Sequence, residues 1–146
     1  MSEGRRTLDE LLSEARAKIG RLTPVETLAA VDGGGLIVDI RSAETRERDG
    51  IVPGSIHVPR TVFEWRLEPG GAWRNPHLGG VDRRLVVLCD HGYSSIFAAA
   101  ILTELGYARA ADVLGGFEAW VAAGLPVAPA PTHRDAAETP GMGGPD

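Results

Sequence analysis

The sequence has one cysteine in 146 residues, so no internal disulfide can form. A lone thiol fits a reducing compartment, and a cytoplasmic protein is the expectation. Long apolar runs are missing too. The longest, residues 96–102, falls far short of the ~20 residues that cross a bilayer. The opening MSEGRRTLDE lacks the apolar core of a secretion signal. Positive charge is scarce: 15 Lys plus Arg stand against 20 Asp plus Glu, a net charge of -5. Nucleic acid is therefore excluded as the main partner, because phosphate contacts need clustered cations. The histidines, His57, His77, His91 and His133, show no paired ligand spacing, so no metal site is expected.

What is present is the composition of a folded domain. Hydrophobic residues make up 43% and charged residues 24%, which excludes wholesale disorder. A chain of this length buries roughly 70% of its unfolded surface, so it needs no staple.

Residues 1–22 read as an N-terminal helical extension. Thr7 and Glu10 have capping-box spacing. Leu8, Leu11, Leu12, Ala15 and Ile19 then recur at helical intervals, predicting an amphipathic helix over 8–20. Its stripe is expected to dock on the domain; the alternative is a helix that binds a protein partner. Residues 23–127 form the domain. Thr23, Pro24 and Glu26 open a second helix, stopped by Gly33-Gly34-Gly35. Residues 36–40 and 85–88 are apolar runs of the kind found in buried parallel strands. Residues 55–58 and 112–114 are weaker strand candidates, and 95–105 and 117–123 read as helices. Strands alternating with helices imply an α/β fold, a parallel sheet flanked by helices. Residues 128–146 are expected to be a disordered tail. The stretch from Pro126 onward holds 5 of the 10 prolines.

The chemistry concentrates in LVVLCDHGYSS. Cys89 stands where a buried strand ends, and the loop Asp90-His91-Gly92-Tyr93-Ser94 leads straight into a helix. Ligands of open parallel sheets gather at the carboxyl ends of the strands. Unpaired N–H groups at a helix start stabilise an anion, a thiolate included. Gly92 lets the loop curl so that its amides face inward, and Ser94 and Ser95 add hydroxyl donors. These features depress the pKa of Cys89 and make it a nucleophile. The plainer reading of Cys89 is a small apolar core residue.

Several segments together resemble the rhodanese family of sulfurtransferases. They are Val38-Asp39-Ile40-Arg41, Gly50-Ile51-Val52-Pro53-Gly54-Ser55-Ile56-His57-Val58-Pro59, Cys89 to Ser95, Leu114-Gly115-Gly116-Phe117, and Trp120 to Pro126. They follow the family's order over about residues 23–127. The resemblance implies a rhodanese-like fold and a persulfide cycle. Cys89 takes a sulfur from a donor such as thiosulfate and passes it to a thiol or to cyanide. Asp90, His91, Gly92, Tyr93, Ser94 and Ser95 then surround the substrate, with Asp39 and Arg41 as loop support. In the resemblance Asp39 braces the loop by binding its amides, and the plainer reading of Arg41 is an ion-pair or surface residue. No metal or organic cofactor is implied.

Asp90 departs from a cationic loop, since its charge opposes a thiolate and repels a dianion. Arg60 and Arg66 are candidates for compensating charge, and Phe63, Trp65 and Trp73 for a pocket wall. A solvated helix face and ordinary packing are the plainer readings. A phosphatase of the cysteine-loop type needs an arginine six positions after the cysteine, where this chain has Ser95. The rival from another class is a non-enzymatic rhodanese-like binding or regulatory module.

Overall fold

Thr7 and Thr23 each accept the backbone N–H three residues on, and Glu10 and Glu26 reach back to the cap N–H. These two capping boxes start α1 (Leu8–Arg16) and α2 (Pro24–Asp32). The computed structural model describes residues 4–131. Its strands are β1 (Gly20–Leu22), β2 (Leu36–Asp39), β3 (Ile56–His57), β4 (Leu85–Leu88) and β5 (Ala111–Val113). They pair in parallel in the order β1-β5-β4-β2-β3. The other helices are α3 (Ala43–Asp49), α4 (Phe63–Leu67), α5 (Ser94–Glu104) and α6 (Gly116–Ala122).

Side chains alternate across the sheet. Leu36, Val38, Leu85 and Val87 share one core with Phe63 and Leu67 of α4 and Ala98 and Leu102 of α5. Ile37, Val86 and Leu88 face the other way, onto Phe117 and Trp120 of α6, with Leu28 and Val31 of α2 beside them. Both faces are covered, which explains why these strands are apolar throughout. All four β4 residues have no exposed surface. The central strand therefore delivers Cys89 to the middle of the sheet's carboxyl edge.

The helix expected over 8–20 ends at Arg16, and Gly20–Leu22 becomes an edge strand. The N-terminal extension is thus part helix and part sheet. Three half-buried residues carry no alternation signal, and their partners are at 111–113. α1 docks through Leu12 and Ala15 on Ile96 and Ala100 of α5. Strands expected at 55–58 and 112–114 are Ile56–His57 and Ala111–Val113. The helices expected to start at 95 and 117 start at Ser94 and Gly116. α3 had no sequence signal, since Arg46 is its one buried residue. Ile51 and Ala128 exchange both backbone hydrogen bonds, so ordered chain runs past residue 127. Residues 132–146 of the expected tail lie outside the described residues. No helix among the described residues is long and apolar enough to cross a membrane.

Candidate active site

α5 begins differently from the first three helices. Those are capped by the side chains of Thr7, Thr23 and Ser42, whereas Tyr93 at the start of α5 caps nothing. The free N–H groups of a helix start need acceptors. Here the acceptor is sulfur. Gly92 donates its N–H to Cys89 Sγ at 3.1 Å. Burial alone pushes the Cys89 thiol up. The Ser95 and Ser94 side chains beside it and the Ser95 and Gly92 N–H groups outweigh it, and the thiol lies below its ordinary value.

Two glycines permit this loop. Gly92 has φ +84, and a Cβ there would sit 2.7 Å from the Gly115 nitrogen. Gly116 has φ +62, and its Cβ would come within 2.5 Å of the Cys89 carbonyl oxygen. The close approach lets the Phe117 and Glu118 N–H groups donate to the carbonyls of Cys89 and Asp90, at 2.8 and 3.1 Å. The start of α6 thereby holds the loop.

The expected loop residues come together, with different surroundings. Ser95 is fully buried and donates its hydroxyl to Asp112 Oδ2 at 2.8 Å. His91 is exposed, and its Nδ1 pairs with Glu118 at 2.9 Å. Tyr93 is 66% exposed. Asp90 is half-buried and helps Arg48 stay charged, though the Arg48–Asp49 bond is the larger cause. A hollow of about 480 Å³ opens beside the loop, between Arg48, Asp49, Asp90, His91, Phe117 and Glu118. Cys89 is only 5% exposed and does not line it.

The expected bracing of the loop by Asp39 is corrected, while Arg41 forms the ion pair that is its plainer reading. Asp39 does not bind the loop amides. Its carboxylate accepts from the Arg41 N–H (3.0 Å), Arg41 Nε (3.1 Å) and Nη2 (2.8 Å), and Arg46 Nε (3.1 Å). Arg41 also donates to the Gly50 carbonyl and lies 3.9 Å over the Phe117 ring. His57 Nε2 donates to the Arg41 carbonyl at 2.7 Å. Two residues apart at a strand end, Asp39 and Arg41 close on each other and stabilise the chain from 41 to 50.

The expected cations are elsewhere as well. Arg60 pairs with Glu64 beside α1 and α5, and Arg66 is buried against the Trp73 carbonyl. Phe63 belongs to the core, while Trp65 and Trp73 are about half-exposed and do not line the hollow at the loop.

Sequence reasoning missed Arg21 and Asp112. Arg21 of β1 forks onto Asp112 of β5, Nε to Oδ1 at 2.9 Å and Nη2 to Oδ2 at 3.1 Å. The same Nη2 donates to the Gly92 carbonyl at 3.0 Å. The two residues are direct register partners across parallel strands. The one available signal was an aspartate inside a strand candidate, since a buried carboxylate needs a partner.

Against known families, residues 23–123 match the Rhodanese-like domain. The chain is 33% identical over 101 residues to the thiosulfate sulfurtransferase GlpE of Pseudomonas savastanoi, covering 68% of this chain and 85% of the relative. It is 49% identical over 92 residues to GlpE of Actinobacillus succinogenes, covering 63% and 74%. Among solved structures, a Rhodopseudomonas palustris protein of unknown function, described as a possible tyrosine phosphatase, superposes with TM-score 0.77 at 32% identity. That alignment covers 88% of this chain and 99% of the other.

Proposed function

The chain belongs to the rhodanese-like domain family, and from that premise we propose that it is a sulfurtransferase working through a persulfide on Cys89. The Cys89 thiolate attacks the outer sulfur of a donor such as thiosulfate. The donor S–S bond breaks, and sulfite leaves with the electron pair. An acceptor thiolate, or cyanide, then attacks the outer sulfur of the persulfide and releases Cys89 as thiolate again. Cys89 is the chain's one cysteine, so the acceptor is external. The cycle calls for no metal or organic cofactor.

The observation that carries this reading is the Gly92 N–H aimed at Cys89 Sγ just ahead of an uncapped helix start. That arrangement favours the thiolate before attack and the charged persulfide after it. Amides from Asp90 to Ser95 supply the cradle, with the Ser94 hydroxyl as a further donor. Phosphatase chemistry lacks its arginine fork here, because Ser95 occupies that position and is bonded to Asp112.

Intact mass after incubation with thiosulfate tests the proposal. One added sulfur, removed by cyanide or a thiol and missing in Cys89→Ala, is the expected result. Mercaptopyruvate runs in parallel, since the loop does not specify the donor. A chain left unmodified by every donor would instead be a binding or regulatory module.

A further inference from the structure

Ser95 has one hydroxyl proton and two acceptors within reach. Asp112 Oδ2 takes it at 2.8 Å, while the same side chain is also close enough to Cys89 to help lower its thiol. The more basic Asp112 is, the less of that proton is left for sulfur. Arg21 occupies both Asp112 oxygens and also holds the Gly92 carbonyl. Its side chain is 24% exposed, whereas Asp112 and Ser95 are fully buried. An unpaired carboxylate in that place would stand beside the thiolate with nothing to offset it.

We propose that Arg21 and Asp112 are positioning residues for Cys89: Arg21 neutralises Asp112 and pins the Gly92 carbonyl, so that the Ser95 hydroxyl and the Gly92 N–H serve the sulfur. Gly92 C=O and Tyr93 N–H point in opposite directions across one trans peptide. Fixing the carbonyl on Arg21 therefore fixes where the Tyr93 N–H points as well. Arg21 lies above its usual value chiefly through its bond to Asp112, with Cys89 and Tyr93 among the smaller charge effects. The edge strand of the N-terminal extension thus belongs to the working parts of the site.

The other charged groups around the loop are Asp90 and His91 within it, Glu118 on α6, Arg48 and Asp49 on α3, and Asp39 with Arg41 and Arg46. They stay unchanged in every variant below, so differences between variants read Arg21 and Asp112.

The inference rests on Cys89 being the reacting nucleophile, yet its test needs no sulfur donor. The pH dependence of iodoacetamide alkylation, followed by intact mass, reports the ionisation of the one thiol. Arg21→Gln is expected to raise the alkylation midpoint by about one pH unit. Asp112→Asn is expected to lower it, because Ser95 then turns to sulfur and Arg21 loses its counter-charge. The double variant returns near the wild-type midpoint, and Arg21→Lys lies between wild type and Arg21→Gln. A purely structural pair would lower the melting temperature in both single variants and move both midpoints the same way or not at all; that result overturns the proposal. Should Arg21→Gln not fold, Asp112→Asn decides alone, and an unchanged or raised midpoint rejects the idea. Failure to form a persulfide would sink the sulfur-transfer reading while leaving these titrations intact.

Discussion

Two buried acid–arginine clusters flank the strand that carries Cys89. On the β2 side, Asp39 binds Arg41 and Arg46, with His57 behind them. On the β5 side, Asp112 binds Arg21 and Ser95. They look alike in chemistry and differ in what they hold. The first closes on itself, on the Gly50 turn and on the Phe117 ring; the second binds the cysteine loop directly, through Ser95 and the Gly92 carbonyl. Proximity to a reactive residue is therefore not involvement with it. The partners of the carboxylate decide which cluster shapes the thiol.

The strongest way to break this comparison is Asp39→Ala. Arg41 and Arg46 would then be buried with no counter-charge, and each already has a buried nitrogen without a partner. Urea denaturation should show a loss of about 3–5 kcal/mol. The alkylation midpoint of the folded protein should stay put; a shift as large as that of Arg21→Gln would erase the distinction between the clusters. Gly92→Ala should act the other way round. Its Cβ meets the Gly115 nitrogen at 2.7 Å in a left-handed backbone, so sulfur transfer should fall on the order of a hundredfold as the loop is displaced. The accompanying stability loss, measured in the same urea assay, should be about 1–3 kcal/mol.

pH should separate the two regions. His57 is held below its ordinary value, first by burial and then by the Arg46 charge. The unfolded chain therefore binds more protons at this site. Its contribution to stability is present above ~6.5 and is lost as pH falls through the lower folded value. His57→Gln should flatten that acid limb. The Cys89 thiol is also lowered, so its contribution is present above ~8.5 and fades as pH falls through the folded value. Cys89→Ser should lack this alkaline gain and keep the acid limb. Melting curves from pH 5 to 9 check both ends.

The smallest expected effect is at Asp90. Asp90→Ser should raise the rate with thiosulfate a few-fold at low salt. The gain should vanish in ~1 M salt, where exposed charges are screened within about 3 Å. An unchanged low-salt rate would mean that the Asp90 charge does not reach the donor.

Local order by itself determined much of this protein. Two capping boxes, two apolar runs and a glycine loop after a strand-end cysteine were legible because each is encoded within a few neighbouring residues. They place the sheet, its central strand and Cys89 at the helix start. Tertiary structure decided the rest. β1 is three residues whose pairing lies 91 positions away, and no periodicity reports such a partner. The family resemblance pointed Asp39 at the cysteine loop, but Asp39 and Arg41 satisfy each other first, because a carboxylate and a guanidinium two residues apart need no further chain to meet. Arg21 and Asp112 meet only when the edge strand docks in register, and that docking sets which donors face the sulfur.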